Sequence, residues 1–283
     1  LGESLLGFLA AERARDPLAE TRVVVPTNLL GLRLSRLLAE RTGGHANVRF
    51  PTFKDFALDL RHAAGGGSSA CELALLPSGG DEIVIRRLME DGLAGEGYFA
   101  RIADRPGLAS ALASAIGDLK EACYDPESLR ESAGRAGLYR VGRDNKLAEL
   151  IRIWEAYQLR LREGGWIDTP EAMLEAANVL EAARSDTDER REVDEQGGRV
   201  PRADRKAPGA VGARPLRLSP LVLYGFYDLN ALQKRIVASH IALTGAKIFF
   251  PYRDDESFHY ARPTLEWLES LGLERVTIEA ADL

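Results

Sequence analysis

The residues that could do chemistry in this sequence follow three short apolar runs of the kind that forms buried strands. They are Thr27 and Asn28 after the first run, Thr52, Phe53 and Lys54 after the second, and Tyr224, Gly225, Asp228 and Gln233 after the third. In open α/β sheets, ligands bind beyond the carboxyl ends of the parallel strands. We therefore expect these residues to lie at one edge of a sheet.

The first two groups have the side chains that a single strand of nucleic acid requires. Hydroxyl, amide and ammonium groups donate hydrogen bonds to phosphates, and an aromatic ring stacks on a base. The residues predicted to contact single-stranded DNA are therefore Thr27, Asn28, Thr52, Phe53 and Lys54. The sequence also leaves a structural alternative open, in which the polar residues cap helices and Phe53 packs in a core.

The third group lacks the carboxylates that nucleotide hydrolysis requires at a strand end. Acidic side chains there hold magnesium and polarise water, whereas Tyr224 and Gly225 carry no carboxylate. The phosphate-binding pattern G-x-x-x-x-G-K-[ST] is absent, since the dipeptide Gly-Lys occurs nowhere in the chain. Neither a catalytic residue nor a metal site is expected in this chain. The alternative is an ATPase that uses Asp228 together with a phosphate loop preceding Leu1.

Strand and helix patterns alternate near both ends of the chain. The expected elements there are a helix at 3–14, a strand at 21–25, a helix at 29–41, a strand at 48–50, a helix capped by Thr52, a strand at 221–223, a helix at 230–243 and a strand at 247–250. Strands that alternate with helices indicate a parallel sheet. The predicted fold class is therefore α/β with a parallel sheet.

The chain divides into three kinds of segment. Residues 1–70 and 218–283 are expected to form the α/β domain, and residues 71–184 an all-helical insertion, because apolar residues recur there at helical spacing. Within the insertion, Thr169 is the expected N-cap of one helix. Residues 185–217 contain no aromatic residue and much charge, glycine and proline, so we expect a disordered loop.

Composition limits the partners and the compartment. The formal net charge of −6 argues against binding nucleic acid through bulk positive charge, so any DNA site must be local. Cys71 and Cys123 show no spacing typical of a zinc site or a disulfide framework. No apolar stretch approaches the roughly 20 residues that span a bilayer, so we expect a soluble, cytoplasmic protein with no membrane partner. The opening at Leu1 is typical of a helix already under way, which suggests a piece of a longer protein.

Three segments resemble the first motor domain of superfamily 1 DNA helicases of the Rep/UvrD type. VVVPTNLLGLRLSRLLAER resembles the strand and helix that carry a threonine contacting single-stranded DNA in that family. VRFPTFKDFALDL is similar to the next DNA-contacting segment, where the family commonly has Thr-Phe-His and Lys54 takes the place of the histidine. IWEAYQLRLREGGWIDTPEAMLEAANVL is similar to the helical insert before the Walker B strand, with Asp168 at the family's aspartate.

The segment LVLYGFYDLNALQ resembles the Walker B segment itself, which in that family commonly reads D-E-F-Q-D-T-N-x-x-Q. The matching residues are Phe226, Asp228, Asn230 and Gln233. Tyr224 and Gly225 stand where the family has its magnesium-binding Asp and catalytic Glu. The resemblance therefore implies a helicase domain without motor chemistry, with a degenerate Walker B segment.

Inactive helicase-like domains of this kind form the N-terminal part of AddB/RexB-type proteins of the PD-(D/E)XK nuclease family. The resemblance implies a P-loop NTPase-like (RecA-like) fold with an inserted helical subdomain, and a nuclease domain outside this chain. It implies a DNA-binding scaffold in DNA repair and recombination, partnered by single-stranded or unwinding DNA and by a helicase–nuclease subunit. ATP and Mg are expected only in an active partner or parent protein. The alternatives are a fragment of an active ATP-dependent DNA helicase and a purely structural protein-interaction module.

Overall fold

The computed structural model describes residues 1–64, 73–93, 97–138, 145–195 and 218–277 of the chain. These residues form two compact units. The first unit comprises residues 1–64, 176–195 and 218–277, and the second comprises residues 73–93, 97–138 and 145–175. No helix within the described ranges combines the length and the apolar character needed to cross a membrane.

Helices predominate over strands in both units. In chain order the elements are α1 (Gly2–Arg15), β1 (Thr21–Val24), α2 (Asn28–Thr42), β2 (Val48–Arg49), α3 (Phe53–Ala64), β3 (Ala74–Leu75), α4 (Gly80–Glu90), α5 (Leu108–Glu121), α6 (Pro126–Arg135), α7 (Lys146–Glu163), β4 (Trp166–Ile167), α8 (Thr169–Glu195), β5 (Leu221–Tyr224), α9 (Ala231–Thr244), β6 (Ala246–Phe249) and α10 (Arg262–Ser270). Short 3₁₀ helices occur at Ala100–Ile102 and Glu256–Ala261.

The first unit contains one parallel sheet with the strand order β2-β1-β5-β6. Where β1 and β5 meet, Val23 lies opposite Val222 and Val24 lies opposite Leu223. The chain moves from β1 to β2 on one side and from β5 to β6 on the other. The direction of winding therefore changes between β1 and β5, which is where open parallel sheets form a ligand-binding crevice. The prediction of an α/β fold with a parallel sheet is confirmed.

Helices pack against this sheet and fix the positions of its strand ends. Alternate residues of a strand point to opposite faces, so Val23 and Val25 share one face, where they pack with leucines of α1 and α2. These leucines are Leu5, Leu9, Leu34 and Leu38. Helices α3 and α9 contact each other through Phe56 and His240, whose ring centroids lie 5.6 Å apart. Burial of these side chains stabilises the sheet, and the sheet in turn positions the polar residues at its strand ends.

The second unit is mostly helical but also contains a small sheet. Buried side chains of α4, α5 and α7 form its core, among them Ile85, Ile116 and Trp154. Strands β3 and β4 pair in parallel, with Ala74 opposite Trp166. This pair corrects the expectation of an all-helical insertion. Each of the two strands has only two residues, which is too short for a period of two to be visible in the sequence.

Helix α8 begins and ends differently from the expectation. Its N-cap is Asp168 and not Thr169, because Asp168 Oδ1 accepts a hydrogen bond from the backbone nitrogen of Glu171 at 2.9 Å. At the other end the helix continues to Glu195, into the segment predicted as a disordered loop. Glutamate and arginine are good helix formers, so a charged composition does not by itself prevent a helix. The rest of that predicted loop, 196–217, lies outside the described residues.

Candidate nucleic-acid interface

The carboxyl ends of β1, β2 and β5 meet at one edge of the sheet, which we call the carboxyl edge. A parallel bridge joins Val25, just after β1, to Thr52, just after β2. The pairing of Val24 with Leu223 brings the end of β5 beside the end of β1. Helices α2, α3 and α9 all begin at this edge. Because a helix N-terminus carries partial positive charge, the carboxyl edge favours anionic groups such as phosphates.

Thr27 and Asn28 stand at the start of α2, and both are exposed. Thr27 Oγ1 accepts a hydrogen bond from the backbone nitrogen of Leu30 at 3.2 Å, so Thr27 is the N-cap of α2. A hydroxyl that accepts a hydrogen bond still has its own hydrogen to donate. The capping role therefore does not prevent Thr27 from donating to a phosphate.

Thr52 and Lys54 occupy the corresponding place at the start of α3. Thr52 Oγ1 donates to Asp55 Oδ2 at 2.7 Å and accepts from the backbone nitrogen of Asp55 at 3.3 Å. A phosphate would have to compete with Asp55 for the hydroxyl hydrogen of Thr52. Lys54 is exposed and forms no ion pair with the described residues, so its ammonium group can contact a phosphate directly.

Phe53 lies in the core and does not offer a ring face to a ligand. Its side chain is 4% exposed. It makes edge contacts with the rings of Phe56 and Phe226, at centroid distances of 6.1 and 5.9 Å. The expectation that Phe53 contacts DNA is therefore corrected, because its ring is already covered by two other rings. Phe53 instead holds the start of α3 against the segment that follows β5.

Tyr224 ends β5 at the position where the helicase resemblance has a magnesium-binding aspartate. Its ring packs against Phe249, with ring centroids 6.0 Å apart. Burial raises the pKa of its hydroxyl above the ordinary value, and the positive charge of Arg33 only partly opposes that rise. The hydroxyl is therefore neutral near pH 7 and provides no anionic ligand for a divalent cation.

Gly225 occupies the position of the catalytic glutamate in the same pattern. Its φ of 81° lies in the left-handed region, which is strained for a residue that has a Cβ atom. An added Cβ atom would lie 3.0 Å from Cδ2 of Leu30. The backbone nitrogen of Gly225 also donates to the carbonyl oxygen of Phe249 at 3.0 Å, which fixes the turn. The backbone at this point therefore favours glycine over glutamate.

Three of the residues that match the helicase pattern, Phe226, Asn230 and Gln233, have structural roles here. Phe226 is 6% exposed and belongs to the core. Asn230 Oδ1 accepts from the backbone nitrogen of Gln233 at 2.8 Å, and Gln233 Oε1 accepts from the backbone nitrogen of Asn230 at 3.2 Å. This reciprocal pair is a capping box that begins α9. Asp228 is exposed. Within the described ranges, no group of three or more His, Cys, Asp or Glu side chains is placed to hold a metal ion.

Five aromatic side chains form a continuous series of ring contacts beyond the ends of β5 and β6, which we call the aromatic strip. In order of contact they are Phe250, Tyr252, Phe258, Tyr260 and Tyr227. Successive ring centroids lie 6.4, 6.4, 6.3 and 5.5 Å apart. Tyr227 and Tyr260 are the most exposed members, at 48% and 56%. Exposed rings of this kind can stack on unpaired bases.

Arginines border the aromatic strip. The guanidinium group of Arg275 lies 5.3 Å from the ring centroid of Tyr252, and Arg262 Nε donates to the Tyr252 hydroxyl at 3.3 Å. Asp254 pairs with Arg262 at 2.9 Å and neutralises part of this charge. The sequence prediction missed the strip, because Tyr227 joins it only through its contact with Tyr260, which lies 33 residues further along the chain. The density of aromatic residues between 250 and 260 was the available signal.

A protein-family model matches more than half of the chain. The family model described as ADDB, N-terminal matches residues 32–194, which is 163 of the 283 residues. This range contains Thr52 and Lys54 but ends before Tyr224. No curated protein matches the chain. Because the match covers more than half of the sequence, the chain belongs to the AddB N-terminal family.

Proposed function

We propose that this chain is the non-hydrolysing, helicase-like region of an AddB-type DNA-repair protein, and that it binds single-stranded DNA at its carboxyl edge. In this proposal the parallel sheet is a RecA-like core, and the second unit is the helical subdomain inserted into it. The chain serves as a scaffold, while a nuclease domain outside this chain and a helicase–nuclease partner subunit supply the chemistry. ATP and Mg belong to that partner or to the parent protein.

The absence of hydrolysis is inferred from the pair Tyr224 and Gly225 at the end of β5. A neutral phenol and a glycine leave the crevice between β1 and β5 without the carboxylates that hold magnesium and activate water. The next acidic residue along the chain, Asp228, is exposed and follows the turn. The capping box of Asn230 and Gln233 is kept nonetheless. Retention of the structural residues together with loss of the acids supports a domain that keeps the helicase fold for a purpose other than catalysis.

The proposed DNA path follows from the chemistry of the carboxyl edge. Thr27, Asn28 and Lys54 present exposed donors at the ends of β1 and β2, beside the N-termini of two helices. The contact between Phe53 and Phe226 brings the start of α3 beside the segment that carries Tyr227, which is one end of the aromatic strip. Phosphate donors and ring faces then lie along one edge, as a single strand requires. Such a local site is compatible with the net charge of −6.

Substitution of Lys54 tests the DNA-binding half of the proposal. Lys54→Ala in the 283-residue chain should weaken binding of a fluorescent single-stranded oligonucleotide and lower the salt slope by about one unit. Lys247→Ala is the matched control, because Lys247 is also an exposed lysine of the first unit but lies in the amino half of β6. The oligonucleotide affinity and salt slope of Lys247→Ala should equal those of the unchanged protein. Equal behaviour of the two variants would reject the role of Lys54.

Two other outcomes would favour the alternatives. No measurable oligonucleotide affinity at low salt would favour a purely structural interaction module. Steady-state ATP turnover by the full-length protein that Asp228→Ala abolishes would favour an active motor. We expect oligonucleotide binding and no ATP turnover that depends on Asp228.

A further inference from the structure

A cavity of about 520 Å³ lies in the first unit, away from the carboxyl edge. It is lined by residues near the amino ends of β1 and β5 and by side chains of α3 and α9. Part of its wall is apolar and contains the buried side chains of Phe56, Leu60 and Val222. The charged residues that line it are Glu20, Arg22, Arg49 and Asp59. Its volume is within the range of small-molecule sites.

His240 is a buried polar residue in the wall of this cavity. It is 2% exposed, and burial lowers its pKa to about 4, so the imidazole is neutral near pH 7. Its Nδ1 lies 3.0 Å from Thr244 Oγ1. The carbonyl oxygens of His240, Gly245 and Ser219 lie 3.2, 3.3 and 3.4 Å from the same hydroxyl. The Nδ1–H tautomer satisfies both groups at once, because the hydroxyl then accepts from Nδ1–H and gives its own hydrogen to one of these carbonyl oxygens.

In this tautomer the other ring nitrogen, Nε2, carries the lone pair of the neutral imidazole. It has no hydrogen-bond partner among the described residues. Among the described residues, two side-chain atoms are both unpaired and fully shielded from solvent, Glu149 Oε1 and Trp154 Nε1. Nε2 of His240 is unpaired but is not one of these shielded atoms, so it retains some accessible surface. The His240 ring lines the cavity. In this tautomer the wall of the cavity contains an unpaired hydrogen-bond acceptor, Nε2 of His240.

The charged groups of the cavity leave one cationic and one anionic group available. Arg22 is engaged by Glu20 Oε1 at 3.1 Å and by Asp59 Oδ2 at 3.3 Å. Arg49 shares Glu20 through its Nε, also at 3.1 Å. No hydrogen bond within the described part of the chain engages the terminal nitrogens of Arg49 or the second carboxylate oxygen of Asp59. Both side chains are largely exposed, at 71% and 51%.

We propose that this cavity binds a small zwitterionic aromatic compound whose ring carries an N–H or O–H donor, the chemistry of free tryptophan or tyrosine. The ring packs against the apolar wall and donates to Nε2 of His240. The carboxylate of the ligand pairs with Arg49 and its ammonium group with Asp59. This site goes beyond the proposed DNA-binding function, since none of the cavity residues lies among the proposed DNA contacts.

Isothermal titration with matched probes tests each feature of the ligand separately. L-tryptophan should bind to the 283-residue chain. L-phenylalanine, which has no ring donor, 1-methyl-L-tryptophan, in which the donor is blocked, and indole, which has no zwitterionic group, should each bind about fivefold or more weakly. No binding of L-tryptophan up to about 10 mM would overturn the proposal. Equal affinity for L-tryptophan and L-phenylalanine would overturn the role of His240.

Variants and a spectroscopic readout place the binding at this cavity. Arg49→Ala should weaken L-tryptophan binding about fivefold or more, whereas Arg36→Ala, at an exposed arginine of α2 that does not line the cavity, should leave it unchanged. The Nε2 resonance of His240 in a histidine-labelled sample should shift on addition of L-tryptophan. An unshifted His240 resonance at saturation would place the ligand elsewhere. Oligonucleotide affinity of Arg49→Ala should equal that of the unchanged chain, which separates this site from the DNA interface.

Discussion

Replacement of Gly225 by alanine should destabilise the protein by about 1 to 3 kcal/mol. The larger contribution is the φ of 81°, which costs roughly 1 to 2 kcal/mol once a Cβ atom is present. The smaller is the approach of that Cβ atom to 3.0 Å from Leu30 Cδ2, well inside the carbon–carbon optimum of about 3.5 to 4.0 Å. Because Cδ2 is the end of a side chain that can rotate, this contact adds about 1 kcal/mol or less.

Two other glycines separate these contributions. Gly43 ends α2 with a φ of 70° and has no atom within 4 Å of an added Cβ, so Gly43→Ala measures the backbone strain alone. Gly7 lies within α1 and has equally open surroundings, so Gly7→Ala should stabilise the protein by roughly 0.5 to 1 kcal/mol. Urea titrations give the free energy of unfolding of each variant.

The expected order of decreasing stability is Gly7→Ala, the unchanged protein, Gly43→Ala and Gly225→Ala. Gly225→Glu should lose at least as much as Gly225→Ala, because its side chain has the same Cβ atom and more atoms beyond it. If Gly225→Ala were as stable as the unchanged protein, the backbone there would tolerate a side chain. The fold itself would then not disfavour a catalytic glutamate at this position.

Lys120→Met should lower the free energy of unfolding, measured in urea titrations, by about 3 to 5 kcal/mol. The reason is that the buried Asp168 loses the ammonium group that lies 2.6 Å away. A loss below about 1 kcal/mol would contradict this expectation. The pKa of His240 is about 4 in the folded chain, whereas its ordinary value is 6.5. Between these two pH values the unfolded chain binds a proton that the folded chain does not. Stability should fall by up to about 3 kcal/mol as the pH falls through that window, and His240→Phe should lack this loss in acid titrations. Asn230→Ala should cost about 1 kcal/mol by loss of the cap of α9, again measured in urea. Tyr260→Ala should weaken oligonucleotide binding about fivefold or more without changing the salt slope, whereas a changed slope would indicate a phosphate contact.

The sheet of the first unit could be predicted because its strands and helices have clear periods. Runs such as 221–223 are apolar on both faces, as strands covered on both sides must be, and the helices between them have regular apolar stripes. The two-residue strands β3 and β4 could not be predicted, since tertiary packing and not a sequence period forms them. The start of α8 depends in the same way on packing, because Asp168 is fixed by a lysine 48 residues away.

The candidate site was predicted in part. Thr27 and Thr52 lie at the strand ends as expected, since a polar residue directly after a strand stays at that edge in a parallel sheet. The burial of Phe53 could not be read from its type, because an aromatic ring at a helix start serves a core or a ligand equally well. The aromatic strip depends on the contact of Tyr227 with Tyr260, 5.5 Å between ring centroids, which no local pattern encodes.

The decisive experiment is the binding of a single-stranded oligonucleotide by the 283-residue chain, followed by fluorescence anisotropy across a salt titration with and without ATP at equal free Mg²⁺ and ionic strength. We expect an affinity that falls with rising salt and is the same in both series, because the donors lie at the carboxyl edge while Tyr224 and Gly225 provide no anionic ligand for the metal. Absence of binding, or an affinity that changes when Mg–ATP is added, would contradict it.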